Sequence, residues 1–121
     1  MTKATLMRAD DLTPGHVTAG MLRREAFSDD DFWIGTATTE AGAVSAWHHH
    51  GDHDSYIYCV AGMLRIEAAG HEPVTFDAHA GDFVHIPARL VHRESNPSRD
   101  EQRLIVARTG TGPVVVNVDA P

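Results

Sequence analysis

Cysteine and basic residues are both scarce in this chain. Its 121 residues include a single cysteine, Cys59, so no disulfide can form within one chain, as is usual in a reducing compartment. Cys59 stands in an apolar run, and we expect it to be buried. The first fifteen residues carry scattered charges and no apolar stretch. We therefore expect no signal peptide, no membrane partner and a cytoplasmic location.

The charge balance argues against a nucleic-acid partner. Lysine and arginine total 10 against 17 acidic residues, a formal net charge of −7, and the basic residues are dispersed, so no surface is offered to a phosphate backbone. Hydrophobic residues make up 42% of the chain, which is typical of a globular protein. The length predicts one domain over residues 1–121, with its core at about 18–118.

Helical periodicity is also nearly absent. Apart from one possible turn near residues 8–12, no stretch keeps an apolar 3.6-residue repeat. Short runs rich in β-branched and aromatic residues instead alternate with Gly, Pro, Asn and Asp, which predicts an all-β sandwich or barrel. The predicted strands are residues 21–27, 32–38, 43–47, 55–60, 63–68, 74–78, 83–86, 91–95, 103–108 and 113–118.

Four of the nine histidines lie in the segment "HHHGDHD" that begins at His48. In an extended strand residues i and i+2 share a face, so His48 and His50 can point inward together while His49 points away. Two imidazoles make half of a metal site, and a third ligand normally comes from another strand. His92, in the segment "GDFVHIPARLVHRESNP", is the candidate.

With these residues the chain resembles a small single-domain cupin of the RmlC-like kind. The first cupin motif, G-x5-H-x-H followed by E and G, is matched by Gly42, His48, His50 and Gly62. The second, G-x5-P-x-G-x2-H-x3-N, is matched by Gly81, Pro87, His92 and Asn96, with Arg89 in place of the middle glycine. The resemblance implies a double-stranded β-helix, or jelly-roll barrel. It also implies one divalent transition metal ion per chain.

The motif's acidic ligand is the point of departure. With four intervening residues its position falls on Ser55, a poor ligand, and with three it falls on Asp54. If Ser55 faces inward, His53 shares its strand phase, whereas Asp54 would need a bulge to turn in. The fourth ligand is therefore either Asp54, which would suit iron or manganese, or His53, which would suit zinc, nickel or copper.

The resemblance and the residues together predict function only broadly. We expect a metal-dependent enzyme acting on a small carbonyl-bearing or aromatic compound, either a dioxygenase, hence an oxidoreductase, or a non-redox isomerase or cyclase. The alternative is a non-catalytic small-molecule sensing or binding cupin. Strand alternation places His85 with Phe83 on the face expected to line the cavity, so His85 is a candidate proton shuttle. The resemblance also implies a homodimer, with residues 21–27 as the strand between subunits.

Overall fold

A computed structural model of the chain describes residues 3–112 and 114–121. Over this range the protein is almost entirely β, with a single 3-10 turn at Ala9–Asp11. The strands are β1 (Thr13–Pro14), β2 (Met21–Ser28), β3 (Phe32–Thr39), β4 (His48–His49), β5 (Asp54–Ala61), β6 (Met63–Ala68), β7 (Val74–His79), β8 (Phe83–Ile86), β9 (His92–Ser95), β10 (Gln102–Thr109) and β11 (Val116–Asn117). No helix among these residues is long and apolar enough to cross a bilayer.

The strands form two antiparallel sheets. One runs in the order β1-β2-β3-β10-β5-β8 and the other β11-β4-β9-β6-β7. Long crossovers place β10 between β3 and β5, and β9 between β4 and β6, so distant segments become neighbours. This is the jelly roll that the resemblance implies, and it brings the two histidine segments into one sheet.

The core lies between the inner faces of the two sheets. Burial alternates along β5 and β10, so that every second side chain points inward as a period of two requires. The buried apolar cluster includes Ile57, Cys59, Ile66, Ile86 and Leu104. The prediction that Cys59 is buried is confirmed.

Most of the predicted strands are present within a residue or two, but one is wrong. The segment 43–47 forms no strand and contributes only an isolated bridge from Val44 to Ser95, and the next strand begins at His48. Pro113, the predicted start of the last strand, lies outside the described residues, and β11 occupies Val116–Asn117.

Two further features bear on the sequence predictions. Arg89, in the position of the motif's glycine, has a φ of 63°, the left-handed region that non-glycine residues rarely adopt. Its guanidinium pairs with Asp52 at 2.5 Å on the surface. Strand β2, expected between two subunits, pairs within the chain with β3 and over two residues with β1. The homodimer stays a prediction.

Candidate metal centre

Three histidine rings meet between the sheets. His48 and His50 are buried on the same side of their segment, and the antiparallel register places His48 opposite His92 at the start of β9. The ring centroids are separated by 4.9 Å for His48 and His50, 4.4 Å for His48 and His92, and 5.0 Å for His50 and His92. One nitrogen of each ring lies within 4.8 Å of the others. That spacing allows all three to bind a single ion.

Backbone carbonyls fix the orientation of all three rings. Each Nδ1 lies at hydrogen-bond distance from a carbonyl oxygen, 2.8 Å from His48 to Ala46, 2.7 Å from His50 to Val114 and 2.9 Å from His92 to Leu90. A carbonyl oxygen can only accept, so each Nδ1 carries the proton. The Nε2 atoms therefore keep their lone pairs, and this second hydrogen bond is the one that metal-ligating histidines usually make.

The chemistry of the three rings fits a cation. Nε2 of His92 is a buried polar atom without a hydrogen-bond partner among the described residues, and such atoms are uncommon unless an ion or water serves them. Burial lowers the pKa of His50 to about 3 and also lowers the pKa of His92. Both rings are thus neutral at pH 7, the form that binds metal.

A buried carboxylate that the motifs do not include stands beside this trio. Glu94 follows His92 by two residues and so shares its inward face. Its Oε1 lies 4.0 Å from His48 Nε2 and 3.8 Å from an Nη atom of Arg23. Burial alone would raise the pKa of Glu94, but the positive charge that Arg23 and any protonated ring of the trio place beside it outweighs burial and lowers the pKa. Glu94 is therefore ionised.

Ser55, where the motif has its glutamate, is buried and faces a second arginine. Its Oγ accepts a hydrogen bond from Nε of Arg108 at 3.3 Å. The Arg108 guanidinium also lies 5.6 Å from the centre of the Trp33 ring. Burial, together with the charge of Arg23, lowers the pKa of Arg108 to about 10. Arg108 is still a cation at neutral pH.

The structure corrects both candidates for a fourth ligand. Asp54 lies on the outer face of β5, since Ser55 takes the inward position, and its carboxylate accepts hydrogen bonds from His85 Nε2 at 3.0 Å and Ala88 N at 3.2 Å. His53 is buried, but its two ring nitrogens lie 3.1 and 3.0 Å from carbonyl oxygens near the end of β10 and beyond it. Neither side chain joins the three converging rings.

His85 is a third correction. In β8 the residues Val84 and Ile86 enter the core, so Phe83 and His85 point outward. His85 stacks on Tyr56 with ring centroids 4.8 Å apart and bonds Asp54 on the protein surface. It cannot act as a proton shuttle in the cavity, because the thickness of the sheet separates it from the histidine trio.

A cavity of about 380 Å³ lies on the side of Arg23 and Arg108, and none of the three histidines lines it. Arg23, Trp33, His53 and Arg108 are among its lining residues. The two arginines also border the interior space next to His50 and Glu94. Arg23 and Arg108 therefore border both the cavity and the small space at His50.

Comparison with known proteins agrees with this geometry. Residues 35–108 match the family model described as a cupin domain. Among solved structures, KdgF from Halomonas sp. has a TM-score of 0.71 at 21% identity over 87% of this chain and 94% of its own. An RmlC-like cupin from Shewanella frigidimarina has a TM-score of 0.74 at 17% identity, covering 90% and 93%. Bacillus subtilis oxalate decarboxylase has a TM-score of 0.74 at 20% identity, covering 88% of this chain and 30% of that one. No curated protein matches in sequence.

Proposed function

Since this chain belongs to the cupin domain family, we propose that it is a metal-dependent enzyme acting on a small carbonyl-bearing or aromatic compound. His48, His50 and His92 hold one divalent transition metal ion, and the compound binds in the adjoining cavity. Imidazole ligands suit zinc, copper, iron and nickel. The observation that carries the proposal is the convergence of three oriented rings on a point where the Nε2 of His92 has no described partner.

The number of ligands favours an enzyme over a binding protein. Three protein ligands leave coordination positions open for water or substrate, whereas structural sites are usually closed by four. A bound ion would polarise a carbonyl or enolate oxygen as a Lewis acid. Support from a relative comes from B. subtilis oxalate decarboxylase, which has Mn(II) centres on this fold.

The chain's own residues orient the ligands and handle protons. The three carbonyl acceptors keep each Nδ1 protonated and each Nε2 turned inward. Glu94, ionised beside His48, takes the proton-transfer role expected of a base in a dioxygenase, isomerase or cyclase reaction. Ser55 and Arg108 present hydrogen-bond donors on the opposite wall.

The decisive experiment is elemental analysis of protein purified without added metal. We expect about one metal ion per chain in the wild type, in Asp54→Ala and in His53→Ala, because neither side chain reaches the trio. His92→Ala should lose the ion, and His85→Ala, which removes an exposed histidine, is the matched control. Metal retained at the wild-type level in His92→Ala would contradict the proposed centre.

Turnover distinguishes the enzyme from the binding protein. Metal-loaded protein is mixed with pentane-2,4-dione and with simple phenols, and oxygen uptake and ultraviolet absorbance are followed. Oxygen consumption indicates a dioxygenase, and an absorbance change without it indicates an isomerase or cyclase. Saturable binding without any turnover across a broad panel would support the sensing or binding protein instead.

A further inference from the structure

The interior around the histidine trio carries more positive than negative charge. Arg23 and Arg108 are only 4% and 6% exposed. Within residues 3–112 and 114–121, Glu94 is the only buried carboxylate. The two buried guanidinium groups therefore face a single buried carboxylate. A metal ion on the trio would raise this excess further.

The two arginines differ in how well their donors are used. Arg23 donates from Nη1 to Thr18 Oγ1 at 3.0 Å and to a carbonyl oxygen at 3.5 Å, and its Nη2 lies 3.8 Å from Glu94. Arg108 makes one hydrogen bond, from Nε to Ser55. Its two terminal Nη groups have no hydrogen-bond partner among the described residues, and the side chain lines the cavity. Of the two arginines, Arg108 therefore has the more N–H donors available to a ligand.

A buried guanidinium without a carboxylate partner is unfavourable in the free protein. The Nη groups of Arg108 are accessible from the cavity, so water can serve them in the free protein. A ligand carboxylate would replace that water, because the flat guanidinium fork matches a carboxylate with two parallel hydrogen bonds. The Trp33 ring beneath Arg108 holds the guanidinium plane in position. These features describe a preformed anion site.

We propose that Arg108 binds the carboxylate of the ligand, with Arg23 adding positive potential, so that the compound held in the cavity is a small carbonyl-bearing carboxylate. The assignment of the ligand's carbonyl group rests on the proposed function. The carboxylate end depends on Arg108 and the cavity, whether or not the trio holds a metal.

Acidic residues at the cavity do not oppose this assignment. Glu25, Asp29 and Asp30 also line it, but Asp29 and Asp30 are exposed and Glu25 is half-buried. Water and salt screen exposed charges strongly, whereas the arginine charge acts in a medium of lower dielectric constant. The field at the buried end is therefore set by Arg108 and Arg23.

The test compares 2,4-dioxopentanoate with its amide, 2,4-dioxopentanamide. The two compounds share the dicarbonyl unit and differ in charge. Affinities are measured by isothermal titration calorimetry without oxygen, on the protein as purified and after metal removal by a chelator. We expect the carboxylate to bind at least about tenfold more tightly than the amide in both forms, which is the range of a charge-assisted hydrogen-bond pair. Equal affinities, or no binding of either compound, would overturn the subsite.

Variants assign the preference to Arg108. Arg108→Gln should reduce the carboxylate-to-amide ratio to near one, and Arg108→Lys should keep part of it. Arg103→Gln on the same strand is the matched control, because Arg103 is exposed and pairs with Glu101 on the surface. A ratio unchanged in Arg108→Gln would refute the assignment. Should that variant fail to fold, the comparison of the two ligands on wild-type protein still decides.

Metal content, measured on the same samples, separates the two proposals. Metal present without a carboxylate preference would overturn the subsite and leave the metal centre standing. A carboxylate preference in protein that binds no metal would support the subsite and overturn the metal centre.

Discussion

Asn96 ties the loop after β9 to the segment that leads to His48 and His50. Its side chain is fully buried. Nδ2 lies 3.2, 3.3 and 2.7 Å from the carbonyl oxygens of Thr39, Glu40 and Asp100, and Oδ1 accepts from Ser98 N and Oγ. The change with the sharpest expected consequence is therefore Asn96→Ala.

The expected loss of stability follows from those contacts. The amide has two N–H donors, so two of the three carbonyls are bonded at a time, and Oδ1 contributes two more bonds. The Ser98 groups can turn to water, whereas the carbonyl of buried Thr39 cannot. Counting about 1 kcal/mol per hydrogen bond, with an added penalty for the buried carbonyl, Asn96→Ala should cost about 2–4 kcal/mol.

Urea unfolding followed by circular dichroism measures this loss. With a slope of about 2 kcal/mol per molar urea, the midpoint should fall by about 1–2 M. Asn117→Ala removes an exposed asparagine from β11 and is the matched control, expected within about 0.5 kcal/mol of the wild type. Metal affinity should also fall in Asn96→Ala, because the Asn96 side chain bonds the carbonyls of Thr39 and Glu40, where the segment that leads to His48 begins. A midpoint no lower than that of Asn117→Ala would refute the reasoning.

Three further outcomes are expected. Gly42 and Gly62 have similar φ values of 78° and 80°, but of these two only Gly62 would bring a Cβ against a backbone carbonyl oxygen, at 2.9 Å. In thermal melts Gly62→Ala should therefore lose more stability than Gly42→Ala. Equal losses would contradict the close approach. Burial raises the pKa of the Cys59 thiol, so Ellman's reagent at pH 8 should react slowly with native protein and give one thiol per chain only after denaturation. Fast reaction of the folded protein would oppose this. The hydrogen bond from Arg93 lowers the pKa of Glu67 below 4.5, so this pair stabilises the fold above about pH 4.5 and its contribution disappears as the pH falls further. The difference in melting temperature between wild type and Glu67→Gln should therefore shrink from pH 7 to pH 3. A constant difference would count against the pair.

The fold was predictable from strand alternation because both sheets bury one face. Strands β6 and β8 coincide with their predicted limits, since glycine or proline stands near their ends and the burial period is regular. The strand predicted over residues 43–47 is wrong although the composition of the segment suits a strand. Its backbone bonds to the stretch 94–96 at separate points and not along a continuous ladder. Composition cannot reveal that irregular pairing.

The candidate site was also predictable in part from the sequence. The spacing of His48, His50 and His92 identified the residues that converge, because that spacing reflects where the strands begin. The fourth position was misjudged since the turn before β5 sets the phase, and that phase sends Asp54 outward. His85 lies on the face opposite to the predicted one, because the inward phase of β8 is shifted by one residue. A shift of one residue exchanges the two faces of a whole strand.

Glu94, Arg23 and Arg108 were missed although the alternation contains them. Glu94 shares the phase of His92, and Arg108 shares the phase of Leu104, a core residue of the same strand. Charged residues at inward positions of otherwise apolar strands are thus a usable signal. Charged side chains are ordinarily assigned to the solvent face, which hides this signal in the sequence.

The three carbonyl tethers also impose an order of assembly. His48 and His92 bond to carbonyls two residues back, so each ring can be oriented as soon as its own strand forms. His50 depends on Val114, 64 residues further along the chain. During synthesis the third ring therefore gains its tether only after that late segment has left the ribosome and packed beside β4. A nascent chain would present two oriented rings and one free ring, so high-affinity binding of the proposed metal ion would belong to the last stage of folding.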